Sequence, residues 1–247
     1  DSLAIWAFGS LPAYTSAANA WLKQQGLAAT MVGSDASGYN PSTVSTAADL
    51  VRIGEMAMQD PVLAGIIGQT SAAGIPMAGT IKNVNLLVGT NNVVGVKTGN
   101  TDQAGGVFVG AIRTDVNQKP VTVVTALVGS PTLFQSMKDS LPLMQSAIAN
   151  FQTDTPIHAN QTLGSYKVPW GGTIQVKAAR NLALTTWNGA TITASLKLPS
   201  ISVSATTNQP VGSVTATEPA TSATSTQDVN LASTPKPPTL TWRLTHP

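Results

Sequence analysis

Lys97, Thr98 and Gly99 stand in a row between a short apolar run at 93–96 and a polar turn. Lysine brings a compact cation with three donors, suited to a ligand carboxylate or to tuning a nearby hydroxyl. Thr98 adds a hydroxyl that donates and accepts, on a β-branched stem that fits a strand. Gly99 removes the side chain, so a ligand can lie against the backbone. At a sheet edge, such a strand can pair with an extended peptide through its free N–H and C=O groups. The N–H of Asn100 could then stabilise an oxyanion. The plain alternative is a solvated lysine on an ordinary strand end, and three letters alone do not separate the two.

The flanks carry more information. Gly95-Val96-Lys97-Thr98-Gly99, followed by Thr101-Asp102 and Ala104-Gly105, resembles the corresponding stretch of the D-alanyl-D-alanine carboxypeptidases, the low-molecular-weight penicillin-binding proteins. Asp35-Ala36-Ser37-Gly38-Tyr39-Asn40, followed by Val44-Ser45-Thr46-Ala47-Ala48-Asp49-Leu50, is similar to a second segment of that family. Asn85-Leu86-Leu87 matches a third, and the ending Trp242-Arg243-Leu244-Thr245-His246-Pro247 is similar to the end of some members' C-terminal domains. The likeness covers residues 1–150 well and 151–247 loosely.

This resemblance implies a serine-type carboxypeptidase that trims peptidoglycan stem peptides through an acyl-enzyme, with β-lactam antibiotics as substrate mimics. In that mechanism the serine of a Ser-x-x-Lys motif attacks, its lysine activates it, and a Ser-x-Asn motif assists proton transfer. Lys-Thr-Gly forms the other wall. Lys97 and Thr98 would hold the substrate carboxylate, while Gly99 and Asn100 would supply the backbone approach and the oxyanion N–H. No cofactor and no metal is expected.

The chain departs from the pattern at the nucleophile. No Ser-x-Asn occurs. The letters Ser-x-x-Lys occur at Ser233 to Lys236, where Pro235, Pro237 and Pro238 forbid the helix that would set the lysine one turn from the serine. No catalytic residue is therefore assigned within the chain. Several family members carry an arginine in the turn after the strand that ends here at Gly129, whereas Ser130-Pro131 stands there. Arg113 could neutralise a substrate carboxylate or sit on a strand surface.

Composition narrows the classes. Charged residues make up 10% of the 247, net charge is +2, and no Lys/Arg cluster provides the basic face that nucleic acid needs. There is no cysteine, which excludes thiol nucleophiles and Cys-based metal sites. The two histidines, His158 and His246, lie too far apart in sequence to suggest a zinc site or a catalytic triad. Asp1 does not read as a natural start, because the run 3–8 already reads as mid-helix. The chain is expected to be a fragment or one piece of a cleaved protein, able to associate with an upstream segment that carries the nucleophile and an export signal. The expected location is extracytoplasmic, at the cell wall or membrane.

Helical spacing predicts the end of a buried helix at 2–8, then a helix capped by Thr15 or Ser16 and stopped near Gly26. A third is expected after Ser45 or Thr46, with Asp49 as a capping acid, and a short one at 62–67. Strands are expected at 74–82, 93–98, 106–113 and 120–129, with a polar hairpin loop at 115–119 and a long helix from Pro131 to about Phe151. Trp6, Phe8 and Trp21 are expected in the core.

The expected fold is α+β: part of a transpeptidase-like catalytic domain over 1–151, an antiparallel sheet with helices, followed by a small all-β domain over 152–247. The Thr/Ser/Pro-rich stretch 205–238 is expected to be a disordered loop, with 239–244 returning as a strand. Trp170 and Trp187 fall in the β domain, as packing residues or as a carbohydrate or partner surface. Three functional readings stay open. One is the carboxypeptidase, with a serine β-lactamase as its neighbour, disfavoured by the appended β domain. The others are a non-catalytic cell-wall binding protein that keeps the fold, and a β-rich interaction module.

Overall fold

The computed structural model describes residues 1–116, 118–202, 204–219 and 221–245, in two compact units, Asp1–Ala149 and Asn150–Pro247. Asn117 of the expected hairpin loop, and His246, lie outside the described residues.

The first unit runs α1 (Ser2–Phe8), α2 (Leu11–Gln24), α3 (Ala47–Gln59), α4 (Pro61–Ile67), a hairpin of β1 (Ser71–Ile75) and β2 (Gly79–Lys82), then β3 (Val93–Thr101), β4 (Gly105–Val116), β5 (Lys119–Ser130) and α5 (Leu133–Ala149). The three long strands form an antiparallel sheet in the order β3-β4-β5, which leaves β3 on an edge. Helix α3 lies so close to this sheet that a Cβ on Gly54 would come within 2.9 Å of both Val109 and Val124. A Cβ on Gly110 would meet Ser140 of α5 at 2.9 Å, so a second helix presses on the same strands. Ser140 and Thr125 hydroxyls share a buried 2.9 Å hydrogen bond between α5 and β5. Val93, Ile112 and Met144 form the buried cluster, joined by Leu87, Val123, Leu141 and Ile148.

Capping follows the sequence at α3, where Thr46 accepts from the Asp49 N–H at 3.2 Å. Asp49 does not close a reciprocal box; its carboxylate accepts from the Thr30 hydroxyl at 2.7 Å and ties the helix start to the preceding loop. Helix α2 begins earlier than expected. Ser10 caps it, accepting from Ala13 N–H at 3.2 Å, because Pro12 suits a first helical turn as well as it stops a preceding one. Helix α1 is not buried: Trp6 is 85% exposed, and Phe8 and Trp21 are also exposed. Apolar spacing marks a helix face without saying what covers it. Phe8 packs edge-on against Tyr14 at 5.6 Å and fixes only the α1–α2 corner.

The second unit contains β6 (Phe151–Ile157), β7 (Thr162–Lys167), β8 (Thr173–Ala178), β9 (Leu182–Trp187), β10 (Thr193–Lys197), β11 (Pro210–Glu218), β12 (Ala223–Leu231) and a short α6 (Leu240–Thr245). Five strands form one sheet in the order β10-β11-β12-β8-β7, and β6 pairs with β9. The disordered loop expected over 205–238 is corrected here, since β11 and β12 occupy most of it. Val214 and Ala216 on β11, and Val229 and Leu231 on β12, are buried at alternate positions with polar residues between them, and Val211 is buried at the register shift that opens β11. A two-residue period buries enough apolar surface even when the composition is dominated by small polar residues. The strand expected at 239–244 is instead α6, whose first turn is tied by the Thr239 hydroxyl accepting from Trp242 N–H at 3.3 Å. Trp170 packs against the core, donates to the Lys236 carbonyl at 2.6 Å and meets Trp242 edge-on at 5.8 Å. Residues 233–236 are not helical, in keeping with a chance Ser-x-x-Lys.

Candidate functional site

Lys97, Thr98, Gly99 and Asn100 lie together on the second half of β3, the edge strand. Val93 and Gly95 at the other end of the strand are buried, and the exposure rises toward Lys97 and Asn100. A Cβ at Gly95 would strike Ile67 of α4 at 2.6 Å, so packing anchors that end and requires glycine there. The register then places Lys97 opposite Val109, Thr98 opposite Phe108, Gly99 opposite Val107 and Asn100 opposite Gly106. Alternation along the strand sends the Lys97 and Thr98 side chains to opposite faces, with the strand edge between them.

Gly99 behaves differently from Gly95. A Cβ there would meet only Val107, at an ordinary 3.5 Å, and its φ is not positive. Neither packing nor backbone conformation within the chain requires glycine at 99. What glycine does leave there is an unobstructed stretch of backbone beside a cation and a hydroxyl.

Lys97 donates through Nζ to the carbonyl of Thr98, which lays its chain along the strand edge. Among the described residues no carboxylate forms an ion pair with Lys97. An exposed cation with no anionic partner, on the strand edge that separates it from Thr98, suits a carboxylate ligand lying along that edge. Arg113 pairs with Thr122 and lies four residues from Val109 on β4, roughly 13 Å along the strand from Lys97's partner. It is a surface strand residue.

The turn beyond Asn100 is ordered by the Thr101 hydroxyl, which accepts from Ala104 N–H at 3.0 Å. Asn100, Gly106 and Ser130 form one row across β3, β4 and β5. A Cβ on Gly106 would lie 2.2 Å from the Thr132 backbone, and one on Gly105 would lie 2.6 Å from the Ser130 carbonyl. The chain leaving β5 therefore crosses tightly over the start of β4, bringing Ser130 and Thr132 to the Asn100 end of the site. The doublet Gly105-Gly106 is the sequence signal for this approach. In the 33–44 loop, the Ser37 hydroxyl donates to Asp35 and holds its carboxyl below the usual carboxylate range. Desolvation acts against this, and the backbone at Asn40, Tyr39 and Gly38 adds to the lowering.

An antiparallel sheet backed by helices, with Lys-Thr-Gly on its edge strand, fits a penicillin-binding-protein-like transpeptidase domain, and comparison with known proteins bears out that fold. Residues 2–128, just over half of the chain, match the family model of D-alanyl-D-alanine carboxypeptidase, and the chain belongs to that family. The curated D-alanyl-D-alanine carboxypeptidase DacA of Haemophilus influenzae is 29% identical over 170 residues, covering 68% of this chain and 42% of that protein. The chain thus spans less than half the length of this relative. Penicillin binding protein 5 from Haemophilus influenzae shares the fold with a TM-score of 0.59 at 22% identity, over 94% of this chain and 68% of that one. The D-alanyl-D-alanine carboxypeptidase DacD from Francisella tularensis does so with 0.57 at 15%, over 94% and 70%. At these identities the structural likeness speaks for the fold.

Proposed function

We propose that this chain supplies the substrate-carboxylate wall of a serine-type D-Ala-D-Ala carboxypeptidase acting on peptidoglycan stem peptides outside the cytoplasm. The observation that carries the reading is the uncompensated Lys97 cation beside Thr98 and the bare backbone of Gly99 on an edge strand. A peptide lying along β3 would add a strand to the sheet and set its terminal carboxylate against Lys97 and Thr98. The Asn100 N–H would face the carbonyl under attack. β-Lactams would enter the same wall as substrate mimics. The serine that attacks would come from a segment this chain does not contain. The β-rich second unit would be a separate domain that is dispensable for turnover of a small soluble peptide.

A second reading is a cell-wall binding protein that keeps the fold without the chemistry. It is favoured by the sequence itself, which has no Ser-x-Asn and no helical Ser-x-x-Lys. Fluorescent penicillin separates the two. Residues 1–247 alone should form no covalent adduct, because acylation needs a nucleophile. Joined to an upstream segment that carries the family's Ser-x-x-Lys and Ser-x-Asn motifs, the chain should be labelled, and Lys97→Ala should slow acylation by on the order of 2–4 kcal/mol in barrier, the scale of losing one oxyanion donor. Labelling at an unchanged rate in the Lys97→Ala protein would return Lys97 to an ordinary strand lysine. A joined protein that folds and binds wall but never labels would favour the binding reading.

A further inference from the structure

The outer face of the five-stranded sheet in the second unit is rich in hydroxyls over β10, β11 and β12. The register of β10, β11 and β12 aligns Thr193, Thr217 and Thr224 in one row and Ser195, Thr215 and Thr226 in the next. Alternation settles their direction. On β11 the alternate residues Val214 and Ala216 are buried, as is Gln227 on β12, while Ser225 is half-buried and the row residues are exposed or half-exposed. Adjacent strands lie about 4.8 Å apart and alternate residues about 6.7 Å apart along a strand, so the hydroxyls form a flat grid of roughly those intervals. That is the scale of one sugar ring. Five of the six are threonines, whose branched stems restrict χ1, so little side-chain freedom remains to be lost on binding. Thr215 and Thr226 are already tied to each other at 2.9 Å, and the Thr193 hydroxyl donates to the Thr217 carbonyl at 3.3 Å.

Charge gives this face a sign. The same alternation puts Lys197 of β10, Lys177 of β8 and Lys167 of β7 on it, against a single carboxylate among the described residues, Asp228. Next to Asp228 the face runs into a cleft of about 470 Å³ whose walls include Pro199, Ile201, Gln209 and Pro210. A surface of this kind is cheap to desolvate, since it is mostly neutral hydroxyl rather than charge. It repeats along its length, so a polymer with a matching repeat can make many weak contacts at once.

We propose that this face binds a polysaccharide strand bearing carboxylates. Hydroxyl rows meet sugar hydroxyl and amide groups, and the lysines meet the acidic substituents. The second unit would then hold the protein on a glycan, independently of the Lys97 wall that reads a peptide.

The test uses the full chain and glycan strands of peptidoglycan from which an amidase has removed every stem peptide, leaving a free carboxylate on alternate sugars. Co-sedimentation should occur with these strands at low salt. The variant Thr215→Val/Thr217→Val/Thr226→Val keeps strand-favouring residues of the same shape and should weaken binding at least fivefold. Lys167→Gln/Lys177→Gln/Lys197→Gln reads the same face should the valine variant fail to fold by circular dichroism, and it too should lose at least fivefold. Lys97→Ala should bind as the parent does, which separates this face from the peptide wall. No co-sedimentation with the stripped strands overturns the proposal. So does retention within fivefold by a folded variant of the face, or binding to intact sacculi alone.

Discussion

In the second unit, thirteen apolar residues from Ile157 to Leu231 form one buried cluster, and the polar positions of its strands face outward. In the first unit Val93, Ile112 and Met144 form a buried cluster, and Phe108, Val109, Ala111 and Met137 are buried too, while Leu3, Trp6, Leu86 and Phe134 stand in solvent. The second unit carries no residue of the candidate site. The first carries all four, at the end of a strand whose other half is anchored by α4. Recognition of a carboxylate by Lys97 needs one well-held strand and a nearby hydroxyl.

The largest expected effect that sharpens this contrast is Leu184→Ala. Leu184 is 1% exposed within the second unit's cluster, and the truncation should cost about 3 kcal/mol, read as faster amide exchange at Val176 and Val229. Leu3→Ala, at a residue 82% exposed, should stay within about 0.5 kcal/mol by denaturant unfolding. Equal losses at the two positions would break the comparison. Ser140→Ala should cost roughly 1–2 kcal/mol, because it leaves the Thr125 hydroxyl buried without its partner. Thr125→Val/Ser140→Ala together should cost less than the sum of the two, since both polar groups are then gone, and a double-mutant cycle reads this.

The smallest effect concerns pH. The Asp35 carboxyl titrates below its ordinary 3.8, chiefly through Ser37, so the charged form is favoured in the folded loop. Its contribution is present above the ordinary value and fades as pH falls through the lowered one. Amide exchange at Gly38–Asn40 should therefore speed up only at acid pH, and Asp35→Asn should remove that dependence. An unchanged acid response in the Asp35→Asn protein would place the cause elsewhere.

The sequence made β3 to β5, α3 and α5 legible because each has a strong local signal. Apolar runs flank Lys97, Thr46 caps α3, and Leu141, Met144 and Ile148 recur at helical spacing. The proposed site stands out as a motif for the same reason, since its four residues are contiguous. What composition obscured was β11 and β12, where threonine and alanine dominate and the two-residue period of Val211 to Leu231 is carried by few large side chains. The exposure of Trp6 was hidden because a helix pattern cannot name its partner. The crossing of residues 130–132 over Gly105 and Gly106 depends on long-range approach, and only the paired glycines hinted at it.

The most direct measurement is a titration of the isotopically labelled chain with a soluble peptide ending in D-Ala-D-Ala, followed by NMR. The wall assigned to β3 predicts amide shifts centred on residues 97–100 and their partners 106–109, abolished by Lys97→Ala and strongly weakened when the peptide's terminal carboxylate is replaced by an amide. Shifts centred elsewhere, or equal binding of the acid and the amide, would contradict it.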